Sequence, residues 1–339
     1  MLGSARNNSL SLADGPWLHF FGSFGDLYFI ASMLHLSPLF DVGVKLLSSA
    51  KYFDLLRVFL GLQWVKSNVV FYEDHLGVNI RRDYYALHWR HIRMENISPF
   101  VNPPNQFWRN DIILSPLICD HPHLATLLMY NKIAYYEALM VILEIFDHRC
   151  TPRLPSHWSH EDHSKVDQQL KSIQRPSVLI NTNNYSQKDL SVENYIFICK
   201  SLKNRGITCF FNTFGIDESI KKCLAEHAAC IDIPGHLINL YQSRFDCCAG
   251  VCGGALTIAN SFSKTNVCQI YTDCKNWTKH ASLEIQGRGI GLDLIKAEIL
   301  THDISVHFER KSACLDARGI NISIDLLSSF VSMVESCLC

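Results

Sequence analysis

Hydrophobic and polar positions change period repeatedly along the chain, and the changes mark its elements. Short apolar runs at 177–181, 207–212, 230–233, 245–249 and 267–271 read as buried strands. Between them, at 192–203, 219–227, 237–243 and 255–262, the pattern is that of helices, clearest over the amphipathic stretch 192–203. Asn204-Arg205-Gly206 stops that helix, because glycine readily takes the left-handed conformation that closes a helix C-terminus. Strands and helices alternating at this rhythm predict an α/β unit on a parallel, Rossmann-like sheet. A last amphipathic helix is predicted over 325–336.

The first half repeats the alternation less regularly. Residues 17–21 read as a strand, 22–26 as a turn and 27–36 as a helix with one apolar face. Further strands are predicted over 42–47 and 64–72, a helix over 52–60, and one long helix or two joined over 121–146. Residues 73–118 are hard to assign; most of the arginines there, Arg81, Arg82, Arg90 and Arg93, read as a solvated face. Between the halves, Pro152, Pro155 and Pro176 interrupt regular structure. The expected organisation is a mobile leader over 1–16, a first domain over 17–150, a linker over 151–176, a second domain over 177–324 and a terminal helix over 325–339. His157, His160 and His163 lie in the linker with a spacing that can bind metal on a helix. No second ligand pair is evident nearby, so an exposed polar helix is the better reading.

Composition narrows the class. A chain of 339 residues suits two domains, and 48% hydrophobic with 19% charged residues is globular composition. A net charge of −1 gives no basic surplus, which argues against a nucleic-acid partner. The first residues lack the apolar core of a signal peptide. The apolar stretches 17–40 and 124–146 are broken by Gly22, Gly25 and Asp26, and by Asn131, Lys132, Glu137 and Glu144. The expected location is cytoplasmic, with peripheral contact at the inner face of a membrane as a further expectation. The 14 cysteines then read as reduced, mostly core-filling thiols. Cys247 and Cys248, adjacent in a strand, point to opposite faces and cannot easily share a metal.

The candidate chemistry centres on residues 250–260, where Gly250-Val251-Cys252-Gly253-Gly254-Ala255 follows a strand and opens a helix. Glycines let a backbone approach a phosphate, and a helix N-terminus offers free N–H groups and partial positive charge. Cys252 lies near that helix start, which lowers a thiol pKa. Asp26, between the first strand and its helix, reads either as a helix cap or as a base facing a cleft, since ligands of open α/β sheets bind beyond the carboxyl ends of the strands.

Several segments, in order, resemble the heptosyltransferase-like family of GT-B glycosyltransferases. Gly22-Ser23-Phe24-Gly25-Asp26 resembles the family's N-terminal Gly-Asp loop. Residues 187–195, from Gln187-Lys188, resemble its Lys-x-Trp-Pro segment and following helix; Phe214-Gly215-Ile216-Asp217-Glu218 resembles its Gly-Gly-x-x-Glu turn. Ile233-Pro234-Gly235 with the helix after it resembles a Gly-then-helix segment, and residues 252–259 resemble Asp-Ser-Gly-x-x-His-x-Ala. Cys252, Thr257, Leu190 and Ser191 depart from the family's Asp, His, Trp and Pro.

The resemblance implies an α/β, GT-B fold of two Rossmann-like domains facing a cleft. It implies inverting transfer from a nucleotide-diphosphate sugar as co-substrate, with neither cofactor nor metal, to a glycan, lipid-linked or protein acceptor. Asp26 would be the base, and Lys188 with the N–H groups around Gly253, Gly254 and Ala255 would meet the leaving diphosphate. Glu218 would accept from ribose hydroxyls, Thr257 would add a hydroxyl donor, and Cys252 would complete the donor turn. Gly22, Ser23 and Gly25 would form the acceptor-side loop. The rival readings are a GT-B-shaped binding or scaffold protein without catalysis, and a nucleotide-sugar epimerase. A dehydrogenase is disfavoured, because no Gly-x-Gly-x-x-Gly follows an early strand.

Overall fold

The computed structural model describes residues 17–19, 24–41, 43–71, 113–114, 135–145, 153–171, 173–183, 188–273, 311–317 and 319–339. Two wholly parallel sheets organise them. The first takes β1 (Trp17–His19), β2 (Lys45–Ser48), β3 (Val69–Phe71) and β4 (Ile113–Leu114), in the order β3-β2-β1-β4. Its helices are α1 (Phe24–Leu34), α2 (Pro38–Asp41), α3 (Phe53–Leu60), α4 (Leu62–Asn68) and α5 (Tyr135–Ile142). Then α6 (His160–Gln169) leads into the second half.

The second sheet takes β5 (Ser177–Asn181), β6 (Thr208–Asn212), β7 (Ala229–Ile231), β8 (Cys247–Val251), β9 (Asn266–Tyr271) and β10 (Ser312–Asp316). Its helices are α7 (Val192–Lys203), α8 (Glu218–Ala225), α9 (Ile238–Gln242), α10 (Gly254–Phe262) and α11 (Ile324–Leu338). The order β10-β9-β8-β5-β6-β7 reverses direction between β5 and β8, as in doubly wound nucleotide-binding sheets. β5 and β8 are buried at every position, which is why both read as unbroken apolar runs rather than alternating ones.

The two faces of this sheet carry different cores. Ile180, Cys247 and Cys268 pack outward with α7 and α11, among them Ile198, Leu202, Phe330 and Val334. Leu179 and Cys248 face the other way, into a cluster with Leu256, Ile258 and Ala259 of α10. That same cluster holds Leu27, Tyr28 and Ile30 of α1 and Phe59 of α3, so one apolar core joins the two halves of the chain. Cys247 and Cys248 thus point to opposite faces, both buried. Among the described residues no His, Cys, Asp or Glu side chains are gathered in threes as a metal site requires, and no helix is long and apolar enough to cross a membrane.

The structure corrects three local expectations. Residues 64–68 are helical: Leu62–Asn68 forms α4, with Val65 buried and Gln63, Lys66 and Ser67 exposed, and only Val69–Phe71 is strand. Phe24, Gly25 and Asp26 are the first turn of α1 rather than part of the turn before it. β8 runs two residues further than its apolar run, taking in Gly250 and Val251. Residues 73–112 lie outside the described ones, as do Gly22 and Ser23.

α6 ties the halves together through charge. Ser159 caps it in a reciprocal box: its hydroxyl accepts the Asp162 N–H at 3.2 Å, and Asp162 accepts the Ser159 N–H at 2.8 Å. The same Asp162 carboxylate receives Arg57 of α3 at 2.9 Å and lies 3.7 Å from His236 of the second half. Burial pushes the Asp162 carboxyl up, but the Ser159 N–H and the Arg57 guanidinium outweigh it and hold the group below its ordinary value. Its contribution is therefore present above the ordinary carboxylate pKa and lost as pH falls below it. Asp162→Ala removes a cap and one of three Arg57 partners, leaving Asp54 and the His157 carbonyl, so a loss of about 1–3 kcal/mol is expected. Arg244→Ala breaks only an exposed pair with Asp167 and should change stability by about 0.5 kcal/mol or less. Urea midpoints of the two variants test the contrast, and equal midpoints would remove the node.

Candidate functional site

The reversal between β5 and β8 sends the two following segments to opposite faces and opens a crevice at the carboxyl ends of the strands. β5 and β6 both end in the dipeptide Asn-Thr, and the four residues lock that edge. Asn212 Nδ2 donates to Asn181 Oδ1 at 2.9 Å and to the Tyr241 hydroxyl at 3.1 Å. Thr182 Oγ1 donates to the Asn212 carbonyl of the next strand at 2.7 Å, and Thr213 Oγ1 repeats this one strand over, to Ile231, at 3.2 Å.

Gly250 pairs with Asn181 across the switch point. Its φ is +138°, and a Cβ there would lie 2.5 Å from the Asn181 carbonyl oxygen. Glycine is what lets β5 and β8 approach at this point. Past the strand, Cys252 turns inward at 5% exposure and gives its N–H to Ile270 O at 2.8 Å. Its amide is thereby committed to β9. Gly253 is the N-cap of α10 and supplies no side-chain cap. The first N–H groups of α10, from Gly254 and Ala255, have no intrahelical acceptors. Gln242, fully buried, donates to the Ala255 carbonyl at 2.8 Å and fixes that first turn in place.

The first half meets this turn directly. A Cβ on Gly254 would lie 3.6 Å from the Cα and N of Gly25, so the opening turns of α1 and α10 touch. One at Gly235 would lie 3.2 Å from the Phe24 ring, which seats the same turn of α1 on the second half. Two helix N-termini converge here, each with partial positive charge. Asp26 is the third residue of α1; its side chain, like that of Thr257 in α10, lies outside the described ones.

Lys188 is held by its backbone. Its N–H donates to Asp273 O at 2.6 Å and its carbonyl accepts from Thr272 Oγ1 at 2.5 Å, just past β9 and beside the Gly-rich turn. Its side chain is exposed. Glu218 opens α8, exposed and 3.4 Å from Lys221, behind the cap Asp217, whose carboxylate accepts the Ser219 N–H at 2.8 Å. The structure thus brings together Gly25, Gly253, Gly254 and Ala255, sets Lys188 at the adjoining strand end, and puts Glu218 beyond β6. Asn181, Asn212, Tyr241 and Gln242, all buried, brace the strand ends and the α10 turn through their hydrogen bonds and were not singled out from sequence. A groove of about 640 Å³ near Arg175, Asp246 and Lys264 opens at the other, amino-terminal edge of the sheet, away from this crevice.

A doubly wound sheet with a glycine-rich switch-point turn, met by a second parallel sheet, defines a GT-B type of α/β protein. No family model matches the sequence, and no curated protein matches it. Solved structures do. A glycosyl transferase of family 9 from Veillonella parvula DSM 2008 aligns at TM-score 0.55 over 96% of this chain and 97% of that one, with 9% identity. E. coli ADP-heptose LPS heptosyltransferase II aligns at TM-score 0.46 over 85% and 99%, with 10% identity. Anabaena Alr3699/HepE, solved in complex with UDP-glucose, aligns at 0.37 over 95% and 99%, with 11% identity. The first likeness shows a shared fold along nearly the whole chain. The heptosyltransferase-like resemblance read from the motifs meets the fold it implied.

Proposed function

We propose that this protein is an inverting glycosyltransferase, moving a sugar from a nucleotide-diphosphate donor to a hydroxyl acceptor without a metal ion. The observation that carries the reading is the contact of Gly25 with Gly254, which sets the opening turn of α1, with Asp26 in it, against the glycine-rich turn. Asp26 takes the proton of the acceptor hydroxyl as that oxygen attacks the anomeric carbon. The bond from that carbon to the diphosphate oxygen breaks on the opposite side. The departing charge is met by the N–H groups of Gly254 and Ala255, by the α10 dipole and by Lys188. Glu218 accepts from the ribose hydroxyls. The acceptor is a saccharide, a lipid-linked glycan or a protein side chain, reached in the cytoplasm or at the inner face of a membrane. The shared fold and the ordered motifs support this reading.

Calorimetry with ADP, UDP, GDP and CDP tests it. One diphosphate is expected to bind well, and Lys188→Ala to weaken it roughly 10- to 100-fold, the range of a hydrogen bond to a charged group. Failure of all four to bind the wild type would overturn the donor site. The second reading, a GT-B-shaped binding protein without transfer, would then take its place. One observation favours that rival: Cys252 stands where the resembled family has an aspartate, and it is buried.

A further inference from the structure

Among the side chains the structure describes, Phe214 is the one phenylalanine, tyrosine or tryptophan left largely in solvent, at 44% exposure. Single exposed apolar residues are ordinary on protein surfaces. The setting of this one is not. It is the second residue of a tight turn over 213–216, closed by Ile216 N–H to Thr213 O at 3.2 Å, with Gly215 in third place at φ +75°. That is the residue and the backbone sign a type II turn requires. The turn is tied on three sides. Asn183, following β5, donates Nδ2 to the Phe214 carbonyl at 2.9 Å; Asn212 Oδ1 accepts the Phe214 N–H at 3.4 Å; and Thr213 N–H reaches Ile231 O of β7 at 2.8 Å. The ring therefore projects from fixed backbone at the carboxyl edge of the sheet.

Its distance from the anion turn gives it a use. β8, β5 and β6 are neighbours in that order, so the end of β6 lies two strand spacings from the end of β8, about 10 Å. A nucleoside diphosphate held by its phosphates at Gly254 and Ala255 has one ribose to cross before its base, a span of that order. The ribose then lies between the ends of β5 and β6, on the side from which Glu218 of α8 comes, and the base meets the end of β6, where Phe214 stands four residues before Glu218. We propose that Phe214 is the stacking face for the nucleobase of the donor and sets how strongly a nucleoside is preferred over a bare diphosphate. A π-face holds any base by contact rather than by edge hydrogen bonds, so this residue supplies affinity and leaves base identity to other groups.

The inference rests on the donor-site reading above, and the test separates the two. Calorimetry compares the preferred nucleoside diphosphate with inorganic pyrophosphate on the wild type, Phe214→Ala and Phe214→Trp. The alanine variant should weaken the nucleoside diphosphate roughly 5- to 100-fold and leave pyrophosphate unchanged, while tryptophan should keep the wild-type affinity. An exposed ring contributes little to folding, so both variants should melt as the wild type does. A wild type that binds pyrophosphate as tightly as every nucleoside diphosphate overturns this inference and leaves the anion site standing. Nucleoside binding unchanged in Phe214→Ala also overturns the inference alone. A wild type that binds neither class overturns the donor site, and the stacking role with it.

Discussion

Gly250→Ala is expected to yield little folded protein. The residue sits inside β8 between β5 and β9, at φ +138°, outside the ordinary range of residues with a Cβ. The added carbon would stand 2.5 Å from the carbonyl oxygen of Asn181, which is main chain and cannot swing aside. Either β5 or β8 must shift, and both belong to the centre of a six-stranded sheet. Backbone strain of about 1–3 kcal/mol and a comparable overpacking term combine to roughly 2–6 kcal/mol. That is a large part of the 5–15 kcal/mol by which domains are typically stable. Gly206→Ala is the control: its φ is +77°, nothing lies within 4 Å, and only about 1 kcal/mol of conformational penalty is expected. Soluble yield and urea midpoint decide the matter. A Gly250→Ala midpoint equal to that of Gly206→Ala would mean the collision is relieved at no more than the ordinary left-handed penalty.

Asp26→Asn is expected to abolish transfer while sparing the fold and the donor. Asparagine keeps the shape of the side chain but cannot take a proton at neutral pH, and a positioned general base contributes about 10²–10⁴ in rate. The residue is the third of α1, where losing a negative charge near a helix N-terminus weakens stability by about 1 kcal/mol or less. The expected result is kcat/KM down by about 10²–10⁴, with an unchanged dissociation constant for the nucleoside diphosphate. Transfer at the wild-type rate would assign the proton to another group. Weakened diphosphate binding would instead make Asp26 part of the donor site.

The second half was the more legible in sequence, for a physical reason. Strands buried on both faces carry continuous apolar runs, and 177–181 and 192–203 emerge with the very bounds their patterns mark. Where the apolar signal ran across a boundary, it misled. Trp64, Val65, Val69, Val70 and Phe71 look like one strand, yet the first two sit in a short amphipathic helix whose period is too brief to register over two turns. Gly250 was read as turn because glycine usually punctuates; here its lack of a side chain is what lets a central strand pass close to its neighbour. Gly253 and Gly254 were legible as the turn that opens α10. Cys252, read with them, is buried and gives its N–H to the Ile270 carbonyl. Asn181 and Asn212 escaped notice because a buried amide declares itself only through its partners, which lie on other strands. The repeated Asn-Thr dipeptide at two strand ends was the available signal.

The apolar cluster shared by α1, α3, α10 and the inner face of the second sheet bears on movement as well as on stability. Swinging the two sheets apart as rigid shells would expose Leu27, Tyr28, Phe59, Leu256 and Ile258 to water, at about 25 cal/mol for each Å² of apolar surface uncovered. A rigid opening of the two halves is therefore costly, and the shared cluster keeps the first turns of α1 and α10 against each other. The same cluster makes the two halves a single inheritance. A substitution that shifts the first turn of α1 is felt at the first turn of α10, because Gly25 and Gly254 are in contact.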